Sequence, residues 1–315
     1  MVSQMMKVSQ FLQGVEAGRI REHLFYLAKD PLPCRTLVHT LPGHERCTLY
    51  EADDYIAGSL AMWGYAVERE PVQVQAYRRD QTKDIHHQYS PPDPADPWYT
   101  AYNLYAKKRG KEFRDEVIVV ISHKDSQSWL GCTAGAHDNA IGTVGAMEIA
   151  RVLGDYESRR SIWFVFCNEE HTPWTSEVTA RNFAASGAGL VAALNVDSIG
   201  GRSDEDRRSG DHHNVTRYVT PEGERIADLM ARLNDRLGIG LVQKKVRAEF
   251  PNDDDGSFVK AGLPAAVLVV GSFPYADPHY HLASDIPENV DLVNARLAVQ
   301  LTLATVLHLD EHGPP

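Results

Sequence analysis

The sequence lacks the Cys-x-x-Cys spacing that binds structural zinc or carries out thiol redox chemistry. Its cysteines are isolated along a chain of 315 residues, at Cys34, Cys47, Cys132 and Cys167. This spacing matches neither a zinc ribbon nor the disulfide framework of a small secreted domain. Cys167 lies in an apolar run, as a small core residue does. The Gly-rich surroundings of Cys132 leave a disulfide and a reactive thiol as open alternatives.

The chain also lacks an excess of basic residues and a long leading apolar run. Lys and Arg number 32 against 43 Asp and Glu, so the formal net charge is −11. This balance disfavours nucleic acid and anionic membranes as partners, because both require clustered Lys and Arg. Residues 1–20 lack the apolar core of a signal peptide, and no stretch is expected to have the length of a membrane span. We therefore expect a cytoplasmic protein, or a secreted one if a leader was trimmed, and its oligomeric state stays open.

Strand and helix patterns alternate along most of the chain. The apolar periodicity predicts strands over 117–121, 162–167, 190–196 and 265–270. It predicts helices over 140–153, 176–185, 222–237 and 289–309. This alternation predicts an α/β fold, with a central, mostly parallel mixed sheet flanked by helices on both faces.

Residues 80–97 are rich in Pro, Asp and His, and this composition is typical of a domain linker or an exposed loop. We favour the loop, because the part of the chain before it is too short and too poor in helix for a separate core. That part begins with a helix pattern over 8–29, inside a helical segment at 1–30. The sequence therefore predicts a single domain over residues 1–315.

Acidic and histidine side chains follow each of the predicted strands or precede the helix after it. They are His123, Asp125, Asp138, Glu169, Glu170, Asp197, His279 and His281. Parallel strands place their carboxyl ends at one edge of a sheet, so these groups should converge. Two His, two Asp and two Glu suit a dinuclear divalent metal site, with zinc expected and manganese or cobalt as alternatives.

Each of these residues also has an ordinary explanation when it is taken alone. Asp138 could be the N-cap of a helix, and Asp197 could be a turn former. Glu169 and Glu170 could be a charged strand end. These explanations must all hold at successive strand ends, and together they are a poor account of the pattern.

The chain resembles the M28 family of zinc aminopeptidases in five ordered motifs, SHKDS, GAHDNAIGTVGAMEIARVL, CNEE, LNVDSIG and PHYHLASDIPENVD. The similarity spans roughly residues 35–310. It implies the zinc-aminopeptidase fold, which is phosphorylase/hydrolase-like, with a metal-binding core at about 115–310. It also implies hydrolysis of the N-terminal bond of a peptide or dipeptide with a free N-terminus, by a water that two zinc ions activate.

The resemblance assigns metal ligands residue by residue. His123 and Asp197 would bind one zinc ion. Glu170 and His281 would bind the other, and Asp138 would bridge the two. The spacing Tyr-His-x-x-x-Asp favours His281 over His279 as the late ligand, and His137 is expected to be a bystander.

The same resemblance assigns roles to residues that do not bind metal. Glu169 would be the general base, and Asp125 would orient His123. Tyr280 would either donate a hydrogen bond to the oxyanion or merely pack. Asp254 matches a family acid near the site, although we favour its alternative role as a helix cap. The resemblance also implies a cis peptide bond between Asp138 and Asn139.

The chain departs from the family directly after the glutamate pair. Residues 171–176 read HTPWTS where most relatives have Gly, a short apolar stretch and Gly-Ser. That segment helps to line the substrate pocket, so the sequence does not give the side-chain preference. Trp129 and Trp174 are candidate pocket walls, with ordinary packing as the alternative.

Two other functions remain as alternatives. A glutaminyl cyclase-like acyltransferase would work with a single zinc ion, so metal stoichiometry and a cyclisation assay discriminate it. A non-catalytic binding module of the same fold is the third possibility. Such a module would have lost ligands. This chain retains the five predicted ligands and Glu169, which argues against the binding module.

Overall fold

The computed structural model describes residues 2–272 and 276–315, arranged around a sheet of nine strands. In chain order the strands are β1 (Val67–Ala76), β2 (Arg78–Arg79), β3 (Tyr89–Ser90), β4 (Tyr99–Lys108), β5 (Phe113–His123), β6 (Arg160–Cys167), β7 (His171–Thr172), β8 (Gly189–Val196), β9 (His213–Tyr218), β10 (Val242–Arg247) and β11 (Ala266–Val270). The helices are α1 (Val2–Gln13), α2 (Ala17–Ala28), α3 (Thr48–Met62), α4 (Ile141–Val152), α5 (Ser176–Ser186), α6 (Asp204–Ser209), α7 (Pro221–Leu237), α8 (Asp253–Lys260) and α9 (Leu292–His312). Strands β2 and β3 pair with each other in a separate hairpin.

The four central strands of the large sheet are parallel. The strand order is β10-β9-β11-β8-β5-β6-β4-β1-β7, and β11, β8, β5 and β6 all run in one direction. The outer pairs β9–β11, β6–β4, β4–β1 and β1–β7 are antiparallel. The predicted mixed sheet with flanking helices is confirmed, and its parallel centre places four strand ends at one edge.

The sheet is buried on both faces by helices. Along β5, Ile118 and Val120 pack into the cluster that contains α4 and α9, whereas Val119 and Ile121 pack into the cluster that contains α5 and α8. Successive strand residues point to opposite faces, so an uninterrupted apolar run is what a strand covered on both sides requires.

Helix α9 is long and apolar enough to cross a membrane by length and composition, contrary to the expectation that no stretch would be. Its most apolar window has a mean hydropathy of 1.4, and 67% of that window is buried inside the fold. Core helices pass the same test, so this is weak evidence for a span. The buried share of this window is typical of a core helix.

Several segments differ from the sequence prediction. The predicted helix over 8–29 is two helices, α1 and α2, that are separated at residues 14–16. The predicted loop over 80–97 contains β3 and a 3-10 turn at Ile85–His87. Strand β10 was not predicted, because it lies at the sheet edge and its sequence, VQKKVR, lacks a buried apolar face.

A disulfide joins Cys34 to Cys132 across 98 residues of sequence. Of the alternatives left open for Cys132, the structure contains the disulfide. It fastens the segment before α3 to the Gly-rich loop after β5. Cys47 is half-buried and Cys167 is buried, and both are free thiols.

We expect the substitution Cys132→Ser to lower the free energy of unfolding by about 2–5 kcal/mol, because the bond constrains a long loop in the unfolded chain. Urea unfolding without reductant measures the change. Cys47→Ser is the matched control and should leave the midpoint nearly unchanged. Identical unfolding of the wild-type protein with and without reductant would contradict this expectation.

Candidate metal centre

The five predicted metal ligands come together at the carboxyl edge of the parallel strands. His123 is the last residue of β5, Asp197 directly follows β8, and Glu170 lies in the chain just after β6. Asp138 comes from the turn Ala136–Ala140 that leads into α4, and His281 comes from the loop after β11. Ligand atoms of His123, Asp138 and Glu170 all lie within 4.8 Å of one another.

Asp138 lies between the two histidines. Its Oδ1 atom is 3.2 Å from Nε2 of His123, and its Oδ2 atom is 2.9 Å from Nε2 of His281. Each imidazole also has an acid of its own. Asp197 Oδ2 is 3.8 Å from His123 Nε2, and Glu170 Oε1 is 3.6 Å from His281 Nε2. The side chains therefore form two groups that share Asp138.

The charges of these groups fit a bound divalent cation. All five side chains are less than a tenth exposed. Burial and the charge of Asp138 raise the pKa of Glu170 to about 7. Burial opposes ionisation of Asp138 too, yet the imidazoles of His123 and His281 hold its pKa well below the usual range. Buried carboxylates need positive partners, and nitrogen and oxygen donors of this kind are ligands for zinc.

Each imidazole is oriented by an acceptor at its other nitrogen. His123 Nδ1 lies 3.3 Å from Oδ1 of Asp125. His281 Nδ1 donates to the backbone carbonyl of His86, at 2.6 Å, and His86 Nδ1 donates in turn to the carbonyl of Tyr280. Such acceptors fix the tautomer and leave Nε2 free to bind a metal. His86 could not be predicted from the sequence, because its contact with His281 runs through a backbone carbonyl.

Asp125 does more than orient His123. It also accepts hydrogen bonds from the backbone N–H groups of Glu169 and Glu170, both at 2.9 Å, and from Nδ1 of His171 at 2.8 Å. Burial opposes its ionisation, but hydrogen bonds from His123 and His171 hold the pKa of Asp125 well below its usual range. The side chain therefore links the end of β5 to the glutamate pair.

The turn that carries Asp138 is held by side chains from other elements. Asp285 accepts the N–H groups of His137 at 2.6 Å and of Asp138 at 3.1 Å. The Asp138–Asn139 peptide bond is cis, as predicted. Asp138 makes no N-cap hydrogen bond, so the explanation of this residue as a simple helix cap is wrong.

The buried guanidinium of Arg35 lies close to acids of the predicted metal site. Arg35 donates to the backbone carbonyls of Leu27, Lys124, Ala134 and Gly135, at 2.6–2.7 Å. Burial lowers its pKa to about 10, while nearby acids act in the opposite direction, so the group stays charged at neutral pH. Sequence reasoning missed Arg35, since a lone Arg outside the motifs carries no distinguishing pattern.

Glu169 faces a cavity of about 250 Å³ next to the ligand groups. Besides the five predicted ligands, its lining includes Tyr77, His87, Tyr89, Trp129, Glu169, Trp174, Asn252, Asp253 and Tyr280. The Oε2 atom of Glu169 has no hydrogen-bond partner among residues 2–272 and 276–315. Burial, followed by the charges of Asp254 and Asp253, raises the pKa of Glu169 well above its usual value.

The structure corrects one assignment near this cavity. Asp254 was expected to cap a helix, but Asn252 is the N-cap residue of α8. Asp254 is fully buried instead, and Cys167 Sγ donates to its Oδ2 at 3.0 Å. The cap explanation is wrong because Asp254 lies inside the first turn of α8 and is buried there.

The remaining candidates are placed as follows. The Tyr280 ring stacks on His281 with centroids 3.9 Å apart and lines the cavity. His279 Nδ1 lies 3.0 Å from Ser284 Oγ, and the ring of His137 packs so closely on Gly201 that a Cβ there would clash. His279 and His137 thus stand outside both ligand groups.

Both candidate tryptophans line the cavity. The Trp129 ring meets His281 edge-on, with centroids 5.3 Å apart, and also packs on Tyr89. Trp174 Nε1 donates to the Tyr77 hydroxyl at 3.1 Å. The cavity therefore has acids at its base and aromatic rings around it.

Comparison with known proteins identifies similar metallopeptidases. Peptidase family M28 matches residues 103–306. A probable zinc metalloprotease of Pyrenophora teres f. teres is 29% identical over 213 residues, which is 64% of this chain and 41% of that protein. Leucine aminopeptidase 1 of Metarhizium robertsii is 24% identical over 63% of this chain and 53% of its own length. The chain thus spans about half or less of these curated relatives.

Solved structures share the fold at low sequence identity. An aminopeptidase from Aneurinibacillus sp. strain AM-1 has a TM-score of 0.71 and 15% identity, covering 98% of this chain and 96% of that one. The glutaminyl cyclase of Fimbriiglobus ruber has a TM-score of 0.67 and 16% identity, covering 93% and 95%. At this identity the likeness concerns the fold, which is common to both activities.

We expect zinc to stabilise chelator-treated protein, because a cation relieves repulsion among the buried carboxylates. At a free zinc concentration a hundredfold above the dissociation constant, one site adds about 2.7 kcal/mol to the free energy of unfolding. Denaturant unfolding with and without zinc measures the gain. It should shrink in Glu170→Gln and persist in the exposed control Glu205→Gln. An equal gain in both variants would contradict the assigned site.

Proposed function

Because the chain belongs to peptidase family M28, we propose that it is a zinc aminopeptidase that uses two ions to release the N-terminal residue of short peptides. One observation carries the proposal. The two oxygens of Asp138 face different imidazoles, and each imidazole has a second acid beside it. A carboxylate with both oxygens engaged in this way is suited to bridge two cations.

The five predicted ligands would divide between the two ions, with Asp138 shared by both. His123 and Asp197 would hold one ion, Glu170 and His281 the other, and Asp138 both. When bound, the ions would polarise the scissile carbonyl and lower the pKa of an attacking water. A single-ion site would leave one of the two ligand groups without a bound ion.

Glu169 is the group in the cavity that is suited to move the proton. It is adjacent to Glu170 in sequence but stands outside both ligand groups, and burial raises its pKa well above the usual value of a glutamate. It would take a proton as the water oxygen attacks the carbonyl carbon. It would then deliver that proton to the nitrogen that leaves when the C–N bond breaks.

Tyr280 is suited to stabilise the oxyanion. Burial raises the pKa of its phenol well above the usual value, so the hydroxyl stays protonated and can donate a hydrogen bond. Its ring stacks on His281, and the residue is part of the cavity lining. The alternative role, packing alone, predicts no effect on turnover when the hydroxyl is removed.

The cavity favours a substrate with a free amino terminus. Its volume, about 250 Å³, is at the low end for a ligand site, and Trp129, Trp174 and the tyrosines surround it. Glu169 and Asp253 are two further acids in the lining beside the predicted metal ligands, and Asp253 pairs with Arg217 at 2.7 Å. A cationic α-amine is attracted to such a site, whereas an acylated N-terminus is not.

A screen of aminoacyl-p-nitroanilides with metal-depleted and zinc-restored protein tests the proposal. Activity should disappear with the metal and return with zinc, and N-acetylated substrates should not be cleaved. An N-terminal glutaminyl peptide in the same screen reports cyclisation. Cyclisation without hydrolysis, together with one zinc ion per chain, would replace the proposal with the cyclase alternative.

We expect Glu169→Gln to lower kcat by about 10²–10⁴, because amide replaces the proton acceptor. Zinc content should stay that of the wild type, since Glu169 is outside both ligand groups. The matched variant Glu170→Gln should lose zinc as well as activity. Turnover at the wild-type rate in Glu169→Gln would remove Glu169 from the mechanism.

We expect Tyr280→Phe to lower kcat by about 10²–10³ with little change in KM, because a donor to the developing oxyanion acts mainly in the transition state. Steady-state kinetics on the best p-nitroanilide measures both constants. Phe preserves the stacking on His281, so zinc content serves as the control. An unchanged kcat would assign Tyr280 to packing.

A further inference from the structure

One donor to Asp125 comes from a side chain outside the metal ligands. Oδ1 of Asp125 lies 3.3 Å from His123 Nδ1 and 2.9 Å from the Glu169 backbone nitrogen. Oδ2 lies 2.9 Å from the Glu170 backbone nitrogen and 2.8 Å from Nδ1 of His171. The His171 contact is the shortest of the four, and both side chains are fully buried.

The other nitrogen of His171 faces the segment before α3. Nε2 lies 3.4 Å from the Leu37 backbone nitrogen and 3.4 Å from the Thr36 hydroxyl. A neutral imidazole that donates from Nδ1 and accepts at Nε2 satisfies both sides with one tautomer. The ring therefore bridges Asp125 and the segment at residues 36–37.

The backbone on both sides of this ring is fixed. The segment before α3 is tied to the chain after β5, since Arg35 N donates to Ser126 Oγ at 2.9 Å and Ser126 N donates to the Arg35 carbonyl at 2.8 Å. His171 itself belongs to β7, where it pairs with Ala76 of β1. The backbone of His171 and the segment at its Nε2 atom are both fixed. The ring can therefore determine the position of the Asp125 carboxylate at its Nδ1 atom.

We propose that His171 is a positioning residue that holds Asp125 in the orientation in which it orients His123 toward the metal centre. The inference rests on the proposed function only in taking this site to bind zinc. Without the Nδ1–H donor, the carboxylate keeps three donors and can rotate away from His123. Loss of such an outer partner commonly costs 10–100-fold in metal affinity.

Three variants separate the hydrogen bond from simple packing. Asn at position 171 places its amide nitrogen where His has Nδ1, whereas Gln places its amide near Nε2. Leu fills the space without any donor. Zinc affinity is measured by competition with a chromophoric chelator, and the visible spectrum of the cobalt-substituted protein reports the geometry around His123.

We expect H171L and H171Q to bind zinc about 10–100-fold more weakly than the wild type, and H171N to stay close to it. The cobalt spectrum should change in the first two variants only. Wild-type affinity in all three, or an equal loss in all three, would overturn the proposal. If H171L does not fold, the comparison of H171N with H171Q decides the question.

These measurements separate the inference from the proposed function. Zinc-loaded wild-type protein that hydrolyses no aminoacyl substrate would overturn the proposed function alone, because the affinity series needs no substrate. Equal zinc affinity across the series would overturn the role of His171 alone, whatever the activity.

Discussion

The buried carboxylate of Asp125 is the group on which the rest of the centre depends. It receives His123 from the end of β5 and the backbone of Glu169 and Glu170 from the chain after β6. A buried charged acceptor left without donors costs more than the ~1–3 kcal/mol of a neutral group, so these contacts are strongly favoured. They fix how the glutamate pair leaves its strand. One acid then faces His281, and the other faces the cavity.

Negative charge at one edge of the sheet is the second constraint. Parallel central strands bring the acids together in spite of their mutual repulsion. Burial and the charge of Asp138 raise the pKa of Glu170 to about 7. The fold also buries two cations, Arg35 and Lys124, near this edge of the sheet. Arg35 binds four backbone carbonyls there, and Lys124 forms a fully buried ion pair with Asp53 at 2.8 Å. Neither of these two cations is among the residues that line the cavity, and of the acids in the lining Asp253 pairs with Arg217 at 2.7 Å.

The predictable part of the structure was the part with a local or a periodic signal. The strands that end at or just before His123, Glu170 and Asp197 could be predicted, because an apolar run buried on both faces has a recognisable length. Strand β10, which is polar and at the edge, has no such signal. Asp254 shows the limit of a local signal, since an acid at the start of a helix resembles a cap unless the helix is known to begin against the core. The bond from Cys34 to Cys132 likewise joins residues whose proximity no local pattern records.

Sequence alone predicts the α/β alternation, the acids and histidines at the strand ends, and the family motifs that assign roles to them. These features are set by order along the chain, because strand polarity puts each strand's last residues at the same edge. Which atoms come into contact depends on how the chain folds. The tertiary structure alone shows that Asp138 presents one oxygen to each imidazole, that a hairpin carbonyl at His86 fixes His281, and that His171 turns inward onto Asp125. Such contacts join residues far apart in the chain through backbone carbonyls and single rotamers. A sequence specifies them only through the fold as a whole.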